Sequence, residues 1–175
     1  LYGKRKWLEQ MPPFMCGGEM VGTVTFEETT FAQLPMKFEA GTQNFASAAT
    51  FKQAIDCIKL LSDKELVKEI DKVRDYLLDV LTSDQRIRLY GVPRGTKADK
   101  IPLFSFCVEG IHHEDLALIL DKMGIAVRSG QMCAEPLMTR FGVTGMLRAS
   151  FAPYNTMQEA EYFVKCLNRA IDMLV

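Results

Sequence analysis

The strongest pattern in the chain is helical: Leu66, Ile70, Val73, Leu77 and Val80 recur three and four residues apart, the period that lays one apolar face along a helix. Ser62 and Glu65 stand at capping-box spacing and predict its start. A second helical period runs from Asn44 through Phe45, Ala49, Ile55 and Ile58 to Leu61. A third covers residues 114–123 and ends at Gly124. The last carries Phe163, Cys166, Leu167, Ala170 and Leu174 on one face, with Asn155 and Gln158 placed to cap it. Between these helices, residues 87–90, 103–108, 125–128 and 146–151 are rich in apolar residues over short runs and predict strands, the first two separated by the turn-rich residues 91–100. In the first third, residues 1–3 predict a strand end and residues 4–10 a short helix stopped by Pro12-Pro13. Residues 21–26 and 29–31 predict a hairpin, and residues 35–40 another extended piece. The expectation is an α/β chain whose residues 1–60 belong to one domain and whose residues 61–175 form a small α+β domain, a sheet covered by helices.

With 175 residues, 48% hydrophobic and 25% charged, the chain can bury a core. Its net charge of -1 argues against nucleic acid as a partner, which demands clustered Lys and Arg; Lys4, Arg5 and Lys6 are the one tight basic group. No apolar run is long enough to cross a bilayer. Five cysteines without paired spacing predict neither a disulfide framework nor a zinc site, and point to a reducing cytoplasm. Leu1 begins the chain without methionine and in mid-pattern, so a piece of a longer polypeptide is expected.

Candidate chemistry concentrates in residues 128–138. Cys133 lies in a polar, glycine-flanked loop between a predicted strand and Pro136, which favours the first turn of a helix. A sulfur beside a helix N-terminus and near Arg128 favours thiolate, the nucleophilic form. The alternative for any free cysteine is a small buried hydrophobe, the reading that suits Cys16, Cys57, Cys107 and Cys166. Gly41-Thr-Gln-Asn44 precedes a helix, where Thr42 is either a phosphate contact or a cap. Arg148, a charge among apolar residues of a strand, suits either a substrate carboxylate, whose geometry its planar fork matches, or a structural ion pair. His112-His113 read better as helix capping than as metal ligands, and the ten methionines as flexible core filler.

Taken in order, several segments resemble one family. They are Leu1-Tyr-Gly-Lys4, Met11-Pro-Pro13, Gly17-Gly-Glu-Met20, Phe38-Glu-Ala-Gly-Thr42, Gly124-Ile-Ala-Val-Arg-Ser-Gly130, Cys133-Ala-Glu-Pro-Leu-Met138, and Arg148-Ala-Ser150 with Tyr154-Asn-Thr156. The chain resembles the C-terminal part of a SUF-type cysteine desulfurase, a class V aminotransferase-like enzyme of fold type I that depends on pyridoxal 5'-phosphate. The resemblance implies that residues 1–60 are the end of the large cofactor domain. It implies that Cys133 takes sulfur from L-cysteine as a persulfide while alanine leaves, and that Arg148 holds the substrate carboxylate with Arg128 close by. It further implies that Thr42 reaches the cofactor phosphate of the partner subunit in a homodimer, and that the sulfur passes to an acceptor protein for iron-sulfur cluster assembly. Selenocysteine lyase and cysteine sulfinate desulfinase are close variants, and a non-catalytic interaction module is the alternative of another class. Two departures stand out. Gln131 and Met132 occupy positions where relatives commonly carry histidine, which leaves the general acid unassigned. The family's Schiff-base lysine lies upstream of the segment that Leu1 begins, so Lys4 and Lys6 are not that residue, and the chain alone is expected to be inactive.

Overall fold

The computed structural model describes residues 2–92 and 100–175. Leu1, with its predicted strand end, and residues 93–99 of the predicted turn lie outside the described residues. The chain divides into two compact units, Leu1–Asp56 and Cys57–Val175.

The first unit holds a short helix α1 (Arg5–Gln10) and an antiparallel pair, β1 (Val21–Val24) and β2 (Thr29–Phe31). Tyr2 and Gly3 form no strand. The extended piece predicted over residues 35–40 is instead a 3-10 turn, Met36–Phe38. Pro35 adopts a helical backbone, so Phe38 N–H reaches the Pro35 carbonyl at 3.2 Å and Glu39 N–H that of Met36 at 3.0 Å. The two glycine segments approach closely here. Gly41 N–H donates to Gly18 O at 2.9 Å, and a Cβ on Gly17 would come within 3.3 Å of Gly41 N. Helix α2 (Phe45–Leu61) closes the unit and runs past its boundary. Its apolar residues Phe45, Phe51 and Ile58 are exposed, so the period predicted for it is present while the face it makes is uncovered.

In the second unit the secure helix is α3 (Lys64–Ser83), whose Ile70, Val73, Leu77, Leu78 and Leu81 are buried. Its cap is Asp63, accepting from Glu65 N–H at 2.9 Å, rather than Ser62. Ser62 is unavailable because its hydroxyl donates back to Ile58 O at 2.7 Å in the last turn of α2. The sheet is antiparallel throughout, in the order β3 (Ile87–Tyr90), β4 (Leu103–Val108), β6 (Met146–Ser150), β5 (Arg128–Gly130). Alternation along β4 sends Phe104, Phe106 and Val108 into the core with α3, α4 (His113–Lys122) and α6 (Met157–Leu174), and leaves Ser105 and Cys107 on the other face. The strand predicted over residues 125–128 begins at Arg128. Pairing stops there although β6 runs on to Ser150, because the preceding residues are tied to the end of α4, with Ile125 N–H bonded to Leu120 O at 3.0 Å. Ile125 and Val127 pack against the core without joining the ladder.

Helix α6 starts at Thr156, which forms a capping box with Glu159. Asn155, expected as the cap, instead accepts Ala152 N–H at 2.8 Å and tightens the turn before it. A short helix, α5 (Glu135–Phe141), meets the outer sheet face, where the Phe141 ring packs at a tilt against Tyr90 with ring centroids 4.9 Å apart. Among the described residues no helix is long and apolar enough to cross a membrane.

Candidate functional site

Strand register builds the site. Tyr90 pairs with Ser105, Ser105 with Arg148, and Arg148 with Arg128, so one row across the outer face ends in two guanidinium groups on neighbouring strands. Like charges placed opposite each other repel, and this arrangement is favourable only where an anion lies between or above them. Arg148 makes no ion pair among the described residues, and its Nε is buried without a hydrogen-bond partner. A buried donor left unpaired costs about 1–3 kcal/mol, which an incoming carboxylate would recover. The structural ion pair held open for Arg148 is therefore absent among the described residues.

Arg148 lines a cleft of about 340 Å³ together with Ser105, Tyr90, Met132, Leu137 and Met146. Burial pushes the Tyr90 hydroxyl up from its ordinary value, and the neighbouring Cys107 adds to the shift. Lys100, at the rim, is held below its ordinary value by desolvation and donates to Gly91 O at 3.2 Å. A larger cleft of about 700 Å³ lies in the first unit, against Leu8, Met11, Pro35 and Phe38. It is mostly apolar and no cysteine lines it, so the smaller cleft is the chemical candidate.

The loop from Gln131 to Ala134 carries Cys133 at the mouth of this cleft, between the lining residues Met132 and Ala134. Cys133 is exposed, and its Sγ lies 3.8 Å from an Arg128 Nη atom. Met132 and Cys133 both have left-handed backbone, with φ of 57° and 59°. Each such non-glycine residue costs on the order of 1 kcal/mol. The chain bears this because α5 begins immediately after, with Pro136 in its first turn and Leu137 N–H bonded to Ala134 O at 2.9 Å. The cysteine is thus presented on a tight turn, not on a strand.

The other cysteines divide differently from the expectation that all four are buried. Cys166 is buried and Cys107 half-buried, but Cys16 and Cys57 are exposed. Cys57 lies on α2, which has no buried residue among those described. Exposure alone therefore does not single out Cys133; its contact with Arg128, and its place between two residues that line the Arg148 cleft, do. Thr42 stands exposed three residues before α2 and is not that helix's cap, since Asn44 Oδ1 accepts Ser47 N–H at 3.2 Å. Thr42 belongs to the first unit, and Cys133, Arg128 and Arg148 to the second. His112 caps α4, its side chain accepting Glu114 N–H at 3.4 Å, and no metal-binding group of His, Cys, Asp and Glu occurs among the described residues. Sequence reasoning missed Tyr90 and Ser105. Their signal was the polar half of an alternating strand, but only the register shows that they share a row with Arg148.

Residues 1–163 match the family described as aminotransferase class-V. The chain belongs to that family. Pyridoxal 5'-phosphate is the cofactor of class-V aminotransferases, and the α/β architecture expected from the resemblance is the one observed. The chain is 40% identical over 174 residues to a probable cysteine desulfurase of Vibrio cholerae, covering 99% of this chain and 42% of that protein. It is 39% identical over 175 residues to the cysteine desulfurase CsdA of Escherichia coli, covering 100% of this chain and 42% of that protein. A crystal structure of the latter in an S-sulfonic acid form superposes with a TM-score of 0.82 at 35% identity, over 99% of this chain and 42% of that one. The chain thus spans about two-fifths of the length of these relatives.

Proposed function

We propose that this chain is the C-terminal part of a cysteine desulfurase, and that Cys133 is the residue on which sulfur is carried. The observation that supports the reading best is the exposed Cys133 beside Arg128, at the mouth of a cleft where Arg148 keeps a buried, unpaired N–H. Arg148 binds the carboxylate of L-cysteine through its planar fork. That anchor turns the substrate's thiol toward the loop, where Arg128 lies 3.8 Å from the attacking sulfur. Overall, L-cysteine and the Cys133 thiol give L-alanine and a Cys133 persulfide: one S–S bond forms, the substrate C–S bond breaks, and no outside oxidant is consumed. Pyridoxal phosphate, when bound, supplies the electron sink that loosens the C–S bond.

Thr42 suits the cofactor's phosphate. Its hydroxyl is exposed ahead of a 17-residue helix whose N-terminal dipole attracts anions. In a homodimer that phosphate belongs to the partner subunit. The short Cys133 loop suits the SUF-type branch and delivery to an acceptor protein for iron-sulfur cluster assembly, and five cysteines without paired spacing suit a cytoplasmic setting. The lysine that holds the cofactor lies, by the resemblance, upstream of Leu1, so the chain alone does not turn over cysteine.

The test is Cys133→Ala in the complete enzyme. The variant is expected to keep the pyridoxal absorbance band and to lose alanine production from L-cysteine. A variant that still forms alanine at the parent rate contradicts the assignment of Cys133. Parallel rates with selenocysteine and cysteine sulfinate rank the substrates.

A further inference from the structure

The side of the sheet opposite the cleft carries a contact that the reaction does not use directly. His113 is the first residue of α4, following the cap His112. His113 Nδ1 and Ser129 Oγ share a hydrogen bond of 2.8 Å. Ser129 is the middle residue of β5, paired with the core residue Leu147, so its side chain lies on the face opposite that of Arg128. The same imidazole sits against Gly145, where a Cβ would collide with the ring. Gly145 is buried and immediately precedes β6, the strand of Arg148, and its carbonyl accepts the Cys107 Sγ–H at 3.4 Å from the neighbouring strand. One side chain therefore touches β5 and the residue that leads into β6, the two strands that carry the paired arginines, at the end of the sheet where the Cys133 loop departs.

That end needs support. Strand β5 has three residues and one neighbour, so it holds its register through few ladder bonds. The Arg128–Arg148 pairing across it is repulsive in the absence of an anion. A hydrogen bond on the opposite face opposes the splaying of β5 without occupying the cleft. His112 stacks behind His113 with ring centroids 4.3 Å apart, which limits the rotation of the imidazole.

We propose that His113 is a positioning residue: through Ser129 and Gly145 it fixes β5 on β6, and so sets the spacing of Arg128 and Arg148 that receives the substrate carboxylate. This rests on the desulfurase reading, and the test separates the two. His113→Phe keeps an aromatic ring and removes the hydrogen bond; His113→Asn restores a polar group near Nδ1. In this chain, His113→Phe is expected to speed amide hydrogen exchange at Ser129 and Gly130 roughly fivefold, the effect of one ordinary hydrogen bond, with β3 and β4 unchanged and His113→Asn close to the parent. In the complete enzyme with its cofactor, His113→Phe should raise KM for L-cysteine by a similar factor and leave kcat within about twofold, again with recovery in His113→Asn. Unchanged exchange in β5, or an Asn variant as impaired as Phe, overturns the positioning role. An enzyme that makes no alanine with any of the three side chains overturns the desulfurase reading instead, while the exchange result still decides the role of His113 in β5.

Discussion

Arg148 is the residue whose surroundings say most about the ligand. A guanidinium with a buried, unpaired Nε beside a second arginine is costly unless an anion completes it. Replacing Arg148 by Ala is expected to raise KM for the amino acid at least tenfold, and Arg148→Lys to recover little of that, because a point charge does not reproduce the planar fork. Steady-state kinetics at saturating cofactor measure both. At this scale the sequence was legible where chemistry depends on residue type: Cys133 and Arg148 stand out in their motifs. It was not legible where chemistry depends on register. Nothing in the order of residues places Arg128 opposite Arg148, or Tyr90 and Ser105 in the same row, because a shift of one residue in strand pairing would turn every one of these side chains to the other face.

Elements followed the sequence where periodicity was long and slipped where short polar groups compete. Helices α3 and α6 lie over the residues whose spacing predicted them, but both caps moved by one position, to Asp63 and Thr156. In each case the expected cap was drawn into another bond, Ser62 to Ile58 and Asn155 to Ala152. Thr156→Ala should therefore destabilise the fold by about 1 kcal/mol, read as a lower denaturant midpoint at unchanged slope, whereas Asn155→Ala acts through the preceding turn. The pH response also belongs here. His113 titrates below its ordinary value of 6.5, chiefly through burial and then through the charge of His112. The unfolded chain takes up this proton first, so stability is full above about pH 6.5 and falls as pH drops through the lowered value of the folded state. Thermal melts between pH 7.5 and 5 should show a shallower loss in His113→Phe than in the parent, with His112 present in both.

At the scale of the molecule, the two units differ in what they bury. Among the described residues, Leu1–Asp56 encloses one fully buried apolar side chain, Met20, while Cys57–Val175 packs a core of α3, α4 and α6 on the sheet. Residues 57–175 alone are expected to unfold in one cooperative transition, and residues 2–56 alone to lack one, as circular dichroism in urea would report. Among the described residues, Phe45, Phe51 and Ile58 of α2 are left exposed. The predicted boundary near residue 60 rested on a change of pattern between two helices, and the compact units divide within the first of them.

In the proposed reaction sulfur leaves L-cysteine onto Cys133. One turnover of the complete enzyme, quenched and digested, should yield the Cys133 peptide heavier by one sulfur atom, in amounts equal to the alanine formed, with the peptides of Cys16, Cys57, Cys107 and Cys166 unchanged. Alanine formed in full while the Cys133 peptide keeps its original mass, or sulfur found on another of these cysteines, would contradict it.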